Sequence, residues 1–421
     1  MLASTKALII LIIAMVLFVS EVIPIPVTAV CAAVSMGVFG VIPFASALSG
    51  FSNDVTIMVI GAMIVGEALF ETGVANKIGE AVIKRVGFNE KAFVLACIIL
   101  SVVLSAFLSN TAVVAMMLPV ITATAIKSNG KIRKKSASMA VAFAANIGGG
   151  MTLVGSTPNL ICQGVLNEMG APAMSFFDLT IGSLPRLAFL LLYYATFGYT
   201  LQNKVFDFSN SNGDDNGKES EQKKEYNTRK MIISSILLVL MVIGFVTGVW
   251  TVGAVALITG LLCIITKCIS LKDTFSRLDW NTVWVLAGSF GIASGIDKSG
   301  AGKIIADTVL DFFGGTISHF SLLLIFTLLA VLMANIMSSS ASAAILSPIA
   351  LSLCTSLGYS PIPIMMVIVW SLNLAFLTPI ATPPVTMTMQ CGYRFLDYTK
   401  LGAPLVIGCL IATVAIYPFL V

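Results

Sequence analysis

The chain has 421 residues, 57% of them hydrophobic and 10% charged, with a mean hydropathy of +0.99. Soluble globular chains carry about 45–50% apolar and about 25% charged residues, so this composition excludes a soluble enzyme and places the chain in a bilayer. A net charge of +4 is no nucleic-acid footprint, and eight scattered cysteines with a single histidine, His319, form no metal-ligand spacing.

In chain order, apolar stretches of helix length fall at 7–20, 25–43 and 55–71, followed by an amphipathic piece at 74–86 that suits the membrane interface. A run at 92–127 follows, too long for one crossing, and then 136–166 and 183–203. The stretch 207–229 is rich in charge, Gly, Asn and Ser and reads as a solvated cytoplasmic linker with no soluble domain beyond it. The pattern then starts again: 231–249, 253–267, 282–296, an amphipathic 301–313, a long run at 319–356, 362–389 and 402–421. The first run, 7–20, reads as a span rather than a signal peptide, because its match recurs in mid-chain.

The recurrence is a duplication. Lys6 and Lys230 open matching runs, Gly61 and Gly73 correspond to Gly288 and Gly300, and Ser109-Asn110-Thr111 before Pro119 corresponds to Ser338-Ser339-Ser340 before Pro348. Pro158-Asn159 corresponds to Pro384-Val385, and the four offsets lie between 224 and 229 residues. The halves are residues 1–206 and 230–421. Both long runs, 92–127 and 319–356, return the chain to its starting side, as re-entrant hairpins or as paired full spans. Five net crossings per half then invert the second copy. With the linker cytoplasmic, twenty of the 24 Lys and Arg lie on that side, leaving Lys6, Arg186, Lys298 and Lys303 outside. The expected fold is therefore an all-α polytopic membrane protein of two inverted five-span repeats, each with a hairpin and a broken helix. Both termini are expected outside the cytoplasm.

Smooth apolar helices satisfy their own backbone in lipid, so polar breaks at membrane depth are informative. Each half has two. Ser109-Asn110-Thr111 and Ser338-Ser339-Ser340 sit midway along the long runs, where cap-type residues open a returning helix whose free amides attract an anion. Gly148-Gly149-Gly150 and Gly155-Ser156-Thr157-Pro158-Asn159 interrupt 136–166, with Thr378 to Pro384 as their counterpart. Small residues also serve to pack helices, but four clusters in symmetric pairs point to a midplane site, with carbonyls and hydroxyls for Na⁺ and amide ends for an anion. Glu67 and Glu71 are candidates for proton relay, although their counterparts are Ser294 and Lys298. A channel would need continuous polar faces, and a membrane enzyme would need a nucleophile–base pair; the sequence offers neither.

The run S-N-T-A-x-x-A-x-x-L-P at Ser109 to Pro119, G-S-T-P-N at Gly155 and A-T-P-P at Ala381 resemble the divalent anion:sodium symporter family of the ion transporter superfamily, over essentially the whole chain. The resemblance implies a homodimeric secondary transporter that moves a di- or tricarboxylate with Na⁺ by an elevator-type displacement. It also implies an additional N-terminal span, which this chain does not show. The substrate would be held by Ser109, Asn110, Thr111, Thr157, Pro158 and Asn159 with Ser338, Ser339, Ser340, Thr382 and Pro383. One Na⁺ would take Ser105, Ser109, Asn110 and Gly155, and a second Ser339 and Ala381. Departures lie in the second half: its S-N-T reads S-S-S, Ala334 stands where a hydroxyl is usual, and Val385 replaces an Asn. These changes remove polar groups from the second cation site and from one side of the substrate. The alternatives are a sulfate, arsenite-type or proton-coupled carrier, or a Na⁺-independent exchanger.

Overall fold

The computed structural model describes residues 2–74, 77, 87, 89–128, 130–206, 226–312, 317–379 and 381–420, and the regular structure among them is helical. The amphipathic segment expected at 74–86 lies outside the described residues but for Val74 and Lys77, as do 207–225 of the linker and Ile380. The first half forms α1 (Ala3–Ser20), α2 (Ile25–Val38), α3 (Asp54–Glu71), α4 (Glu90–Ser105), α5 (Asn110–Lys127), α6 (Lys134–Gly149), α7 (Thr157–Glu168), α8 (Thr180–Ala195) and α9 (Phe197–Val205). The second forms α10 (Thr228–Thr247), α11 (Val252–Ile265), α12 (Trp280–Lys298), α13 (Ala301–Phe312), α14 (His319–Ile336), α15 (Ser339–Leu357), α16 (Pro361–Leu372), α17 (Pro383–Met387) and α18 (Phe395–Val414). Among these, α1, α5, α10, α14, α15 and the segment Phe395–Phe419 are each long and apolar enough to cross a membrane. The pair α8–α9, bent by 57°, has the same character. The chain is a multi-pass membrane protein.

The two long apolar runs are helical hairpins. The first half's α4 and α5 turn at 106–109, and α14 and α15 turn at Met337–Ser338. Helices of 16 and 18 residues in the first hairpin span about 24 and 27 Å, somewhat short of the roughly 30 Å hydrocarbon layer.

Helix α2 packs on α12 and α3 on α11, each against the counterpart of the other, and glycine sets the distance. A Cβ on Gly61 of α3 would lie 2.2 Å from the Ala256 carbonyl carbon of α11, and one on Gly288 of α12 would lie 2.4 Å from that of Ala29 in α2. A single spacing of 227 residues relates Gly61 to Gly288 and Ala29 to Ala256, so the two contacts are the same contact made twice. Close approach of this kind needs small residues, since lipid gives helices no hydrophobic reason to associate.

The other elements bury the interrupted helices. Every residue of α6 from Lys135 to Gly149 is buried, and so are those of α16 from Pro363 to Leu372. A helix enclosed all round must be apolar or small on every face, which explains the Ala-Gly composition of α6. Arg186, assigned to the outer side by charge counting, is instead fully buried within α8. The guanidinium is held by acceptors from its own turn and by the Trp370 carbonyl of α16, a solution invisible to a rule that reads topology from basic residues.

Candidate functional site

Both hairpin tips and both helix breaks open onto one cavity of about 800 Å³. Of the residues expected to form a site, Ser109, Asn110, Thr111, Gly155, Thr157, Pro158, Ser338, Ser339, Ser340, Ala381, Thr382 and Pro383 line it. The volume suits a small ligand, for which sites run to roughly 300–1,000 Å³. The opposite wall comes from α3, with Val59, Met63, Glu67 and Phe70, and from the start of α12, with Asp279, Asn281 and Thr282. The cavity therefore lies between the hairpin-and-break elements and the α3/α12 elements. Thr157 and Thr282 meet across it, their hydroxyls 3.3 Å apart.

Four helices present their N-termini here: α5 behind Ser109, α7 behind Ser156, α15 behind Ser338 and α17 behind Thr382. Ser and Thr at such positions usually accept a bond from the first-turn amides. Asn53, Thr251 and Ser318 do so elsewhere in this protein. At the four cavity-facing termini the side chain makes no such bond; α5 and α15 thereby leave first-turn amides to the cavity, α7 leaves that of Thr157 beside Pro158, and α17 leaves none, since it opens on Pro383-Pro384 and the Val385 amide donates to the Thr382 carbonyl. Free amides and the positive macrodipole end favour an anion. Arg277 is the only Lys or Arg among the described lining residues; it is tied to Glu71 at 2.9 Å, with Glu67 at 4.0 Å.

Behind the first tip, one end of the Asn110 carboxamide lies 2.6 Å from Ser105 Oγ, 3.0 Å from the Ala145 carbonyl oxygen and 3.1 Å from that of Gly155. With its nitrogen at that end, Asn110 donates to all three. With its oxygen there, four oxygens face one point, and that donor set suits a hard cation. Ser105 is buried and reaches the cavity only through Asn110. In the second half, Ser339 Oγ donates to the Leu372 carbonyl (3.0 Å) and Ala334 replaces the serine, so the equivalent point keeps fewer oxygens.

Asn159 departs from expectation. It is fully buried, donates to the carbonyls of Gly149 (2.7 Å) and Thr152 (2.8 Å), and does not line the cavity. It braces the first break by satisfying carbonyls that the interruption frees. The second break lacks that Asn, having Val385, and Asn335 from the neighbouring hairpin supplies the service. It donates to Val331 and Leu374 carbonyls and accepts from the Leu377 amide.

Among the cavity residues that escaped the sequence reading are Asn146 and Asn373. They end α6 and α16 and brace the halves reciprocally: Asn146 donates to Thr382 Oγ1 (3.1 Å), and Asn373 donates to Asn159 Oδ1 (3.2 Å). Their separation of 227 residues, the Gly61–Gly288 spacing, was the available signal.

Interrupted helices meeting at a polar cavity inside a multi-pass bundle define a membrane transporter of the secondary class. The fold is that of solved transporters: it matches YdaH of Alcanivorax borkumensis with a TM-score of 0.63 at 15% identity, over 90% of this chain and 86% of that one. The family model described as "Citrate transporter" (CitMHS) matches residues 15–252 and 243–421, and the chain belongs to that family. Its relatives include "Sodium-dependent high-affinity dicarboxylate transporter 3" of Caenorhabditis elegans, 26% identical over 94% of this chain and 79% of that protein. "Sodium-dependent dicarboxylate transporter SdcS" of Staphylococcus saprophyticus is 24% identical over 89% of this chain and 78% of its own length. The symporter resemblance read from Ser109, Gly155 and Ala381 is thereby upheld.

Proposed function

We propose that the protein moves a di- or tricarboxylate across the cell membrane with Na⁺ as the coupling ion. The observation that carries this is the convergence of two hairpin tips and two helix breaks on one cavity, where Ser109 and Ser338 leave the first-turn amides of α5 and α15 free. The substrate's carboxylates take the amides and hydroxyls at Ser109–Thr111, Thr157, Ser338–Ser340 and Thr382. Na⁺ takes the oxygens around Asn110: Ser105, Ala145 and Gly155. The names of the two sodium-dependent relatives support the substrate class and the ion.

Transport then exchanges the side on which the cavity opens. The hairpins and broken helices move as one body against α1–α3 and α10–α12, and the Thr157–Thr282 contact breaks as they do. Pairing of the two halves about an approximate two-fold is supported by the reciprocal Gly61–Ala256 and Gly288–Ala29 contacts, and a cytoplasmic linker with both termini outside by the charge bias of twenty against four Lys and Arg. The working unit is a homodimer by family resemblance.

The test is uptake of radiolabelled citrate and succinate into proteoliposomes holding the purified protein, with Na⁺ or choline outside. Na⁺-dependent accumulation of at least one is expected. Uptake of neither above empty liposomes would refute the substrate class, and equal uptake in choline would refute the coupling.

A further inference from the structure

Arg186 is a fully buried guanidinium at the meeting point of the two interrupted helices, and the transport reading leaves it without a role. Its Nε donates to the Gly182 carbonyl (2.8 Å), its Nη1 to the Trp370 carbonyl (2.7 Å) and its Nη2 to Ser183 Oγ (2.8 Å). Its carbon stands 5.4 Å from the Trp370 ring centroid. No described acidic side chain pairs with it. A buried charge without a counter-ion is costly, and in a bilayer such residues are functional more often than structural.

The compensation comes from helix ends. Trp370 lies in the last turn of α16, whose C-terminus carries the negative end of the macrodipole. Ser183 passes the contact on to the first half, donating to the carbonyl of Gly150, the C-cap of α6 (2.6 Å). The charge thus bears directly on α16 and through a neutral hydroxyl on α6. The last long helices of the two halves differ in charge: α8 carries Pro185-Arg186 and α18 carries Pro404-Leu405, with Leu405 buried and apolar. The half with the poorer oxygen set, where Ser339 already donates to Leu372 and Ala334 brings no hydroxyl, is the half whose helix end holds the fixed charge. In the other half Ser105 Oγ, the Ala145 and Gly155 carbonyls and one end of the Asn110 carboxamide converge, and no described guanidinium bonds to any of them.

We propose that Arg186 is a built-in counter-cation for the C-terminal end of α16, so that each chain has one mobile Na⁺ site, at Asn110, rather than a symmetric pair. This rests on the Na⁺-coupled reading and adds its stoichiometry. Arg186 is a positioning residue: it touches neither the cavity nor the ion, and acts by neutralising the carbonyl end that would otherwise attract one.

The test is ²²Na⁺ binding to the purified full chain, counted per chain and fitted for its Hill coefficient. The wild type binds one Na⁺ with a coefficient near one, and Asn110→Ala weakens that binding by about 10- to 150-fold. Arg186→Gln, checked for a monodisperse elution profile, uncovers the α16 carbonyls and binds more than one; Arg186→Lys keeps the charge and binds one. Two Na⁺ per wild-type chain, or a Hill coefficient near two, overturns the proposal and leaves Na⁺ coupling standing. So does a folded Arg186→Gln that still binds one. If Arg186→Gln does not fold, the wild-type count and Arg186→Lys decide the matter by the same criteria. Absence of saturable ²²Na⁺ binding in the wild type instead refutes the coupled reading itself.

Discussion

Truncating Asn110 to alanine removes the carboxamide end that meets Ser105 Oγ and the Ala145 and Gly155 carbonyls, which is the fourth oxygen of the proposed Na⁺ site, and leaves the other three in place. A polar contact to a charged partner is worth about 1.5–3 kcal/mol net. With about 1.4 kcal/mol per decade, the Na⁺ dissociation constant rises by about 10- to 150-fold. The hairpin itself keeps its packing, because Val113, Val114 and Met117 of α5 stay buried. The measurement is the Na⁺ dependence of melting temperature, where a bound ion stabilises by RT ln(1 + [L]/Kd). For Asn110→Ala the rising limb shifts to Na⁺ concentrations higher by that factor. Asn110→Asp separates the ion from the anion: it keeps the oxygen and adds a negative charge, so Na⁺ stabilisation survives while carboxylate uptake is lost to repulsion. An Asn110→Ala variant with the wild-type Na⁺ curve would remove the cation from this point, and the oxygen geometry would need another explanation.

Gly61→Ala and Gly288→Ala each drive a methyl into a backbone that has no rotamer to yield, at 2.2 and 2.4 Å. Overpacking of this kind costs about 1–3 kcal/mol, so both variants should lower the melting temperature by similar amounts; an unperturbed melt for either would deny the reciprocal contact. Asn159→Ala leaves the carbonyls of Gly149 and Thr152 without their donor, at about 1–3 kcal/mol each if left unsatisfied. Its melting temperature should drop sharply while the KM for carboxylate in the folded fraction stays near wild type, whereas a raised KM with a normal melt would return Asn159 to the ligand set. A Thr157→Cys/Thr282→Cys pair, replacing hydroxyls 3.3 Å apart, should form an oxidant-dependent cross-link that stops uptake and is relieved by reductant. Full-rate transport by the cross-linked protein would contradict motion between the two bodies.

Much of this architecture is local and so was written in the chain. Composition placed it in a bilayer, and the 227-residue recurrence of glycines announced the duplication. Ser109 and Ser338 marked where hairpins turn, because the chain cannot run 36 apolar residues in one direction without leaving the hydrocarbon layer. The breaks at Gly155 and Ala381 were legible for the same reason: glycine and proline at membrane depth interrupt a helix whatever surrounds it. What needed three dimensions was the disposal of polar groups that those breaks release. Asn159 looked like a ligand and is a brace, Asn335 replaces the brace that Val385 lacks, and Asn146 and Asn373 join the halves across the cavity. Which donor reaches which freed group depends on how the chain folds back across the break, from 7 residues for Asn159 to 236 for Asn146, and no periodic pattern encodes it. Arg186 makes the same point most sharply. Counted from sequence among the outer basic residues, it lies buried against Trp370, 184 residues away, because only the folded chain brings a helix end near enough to hold it.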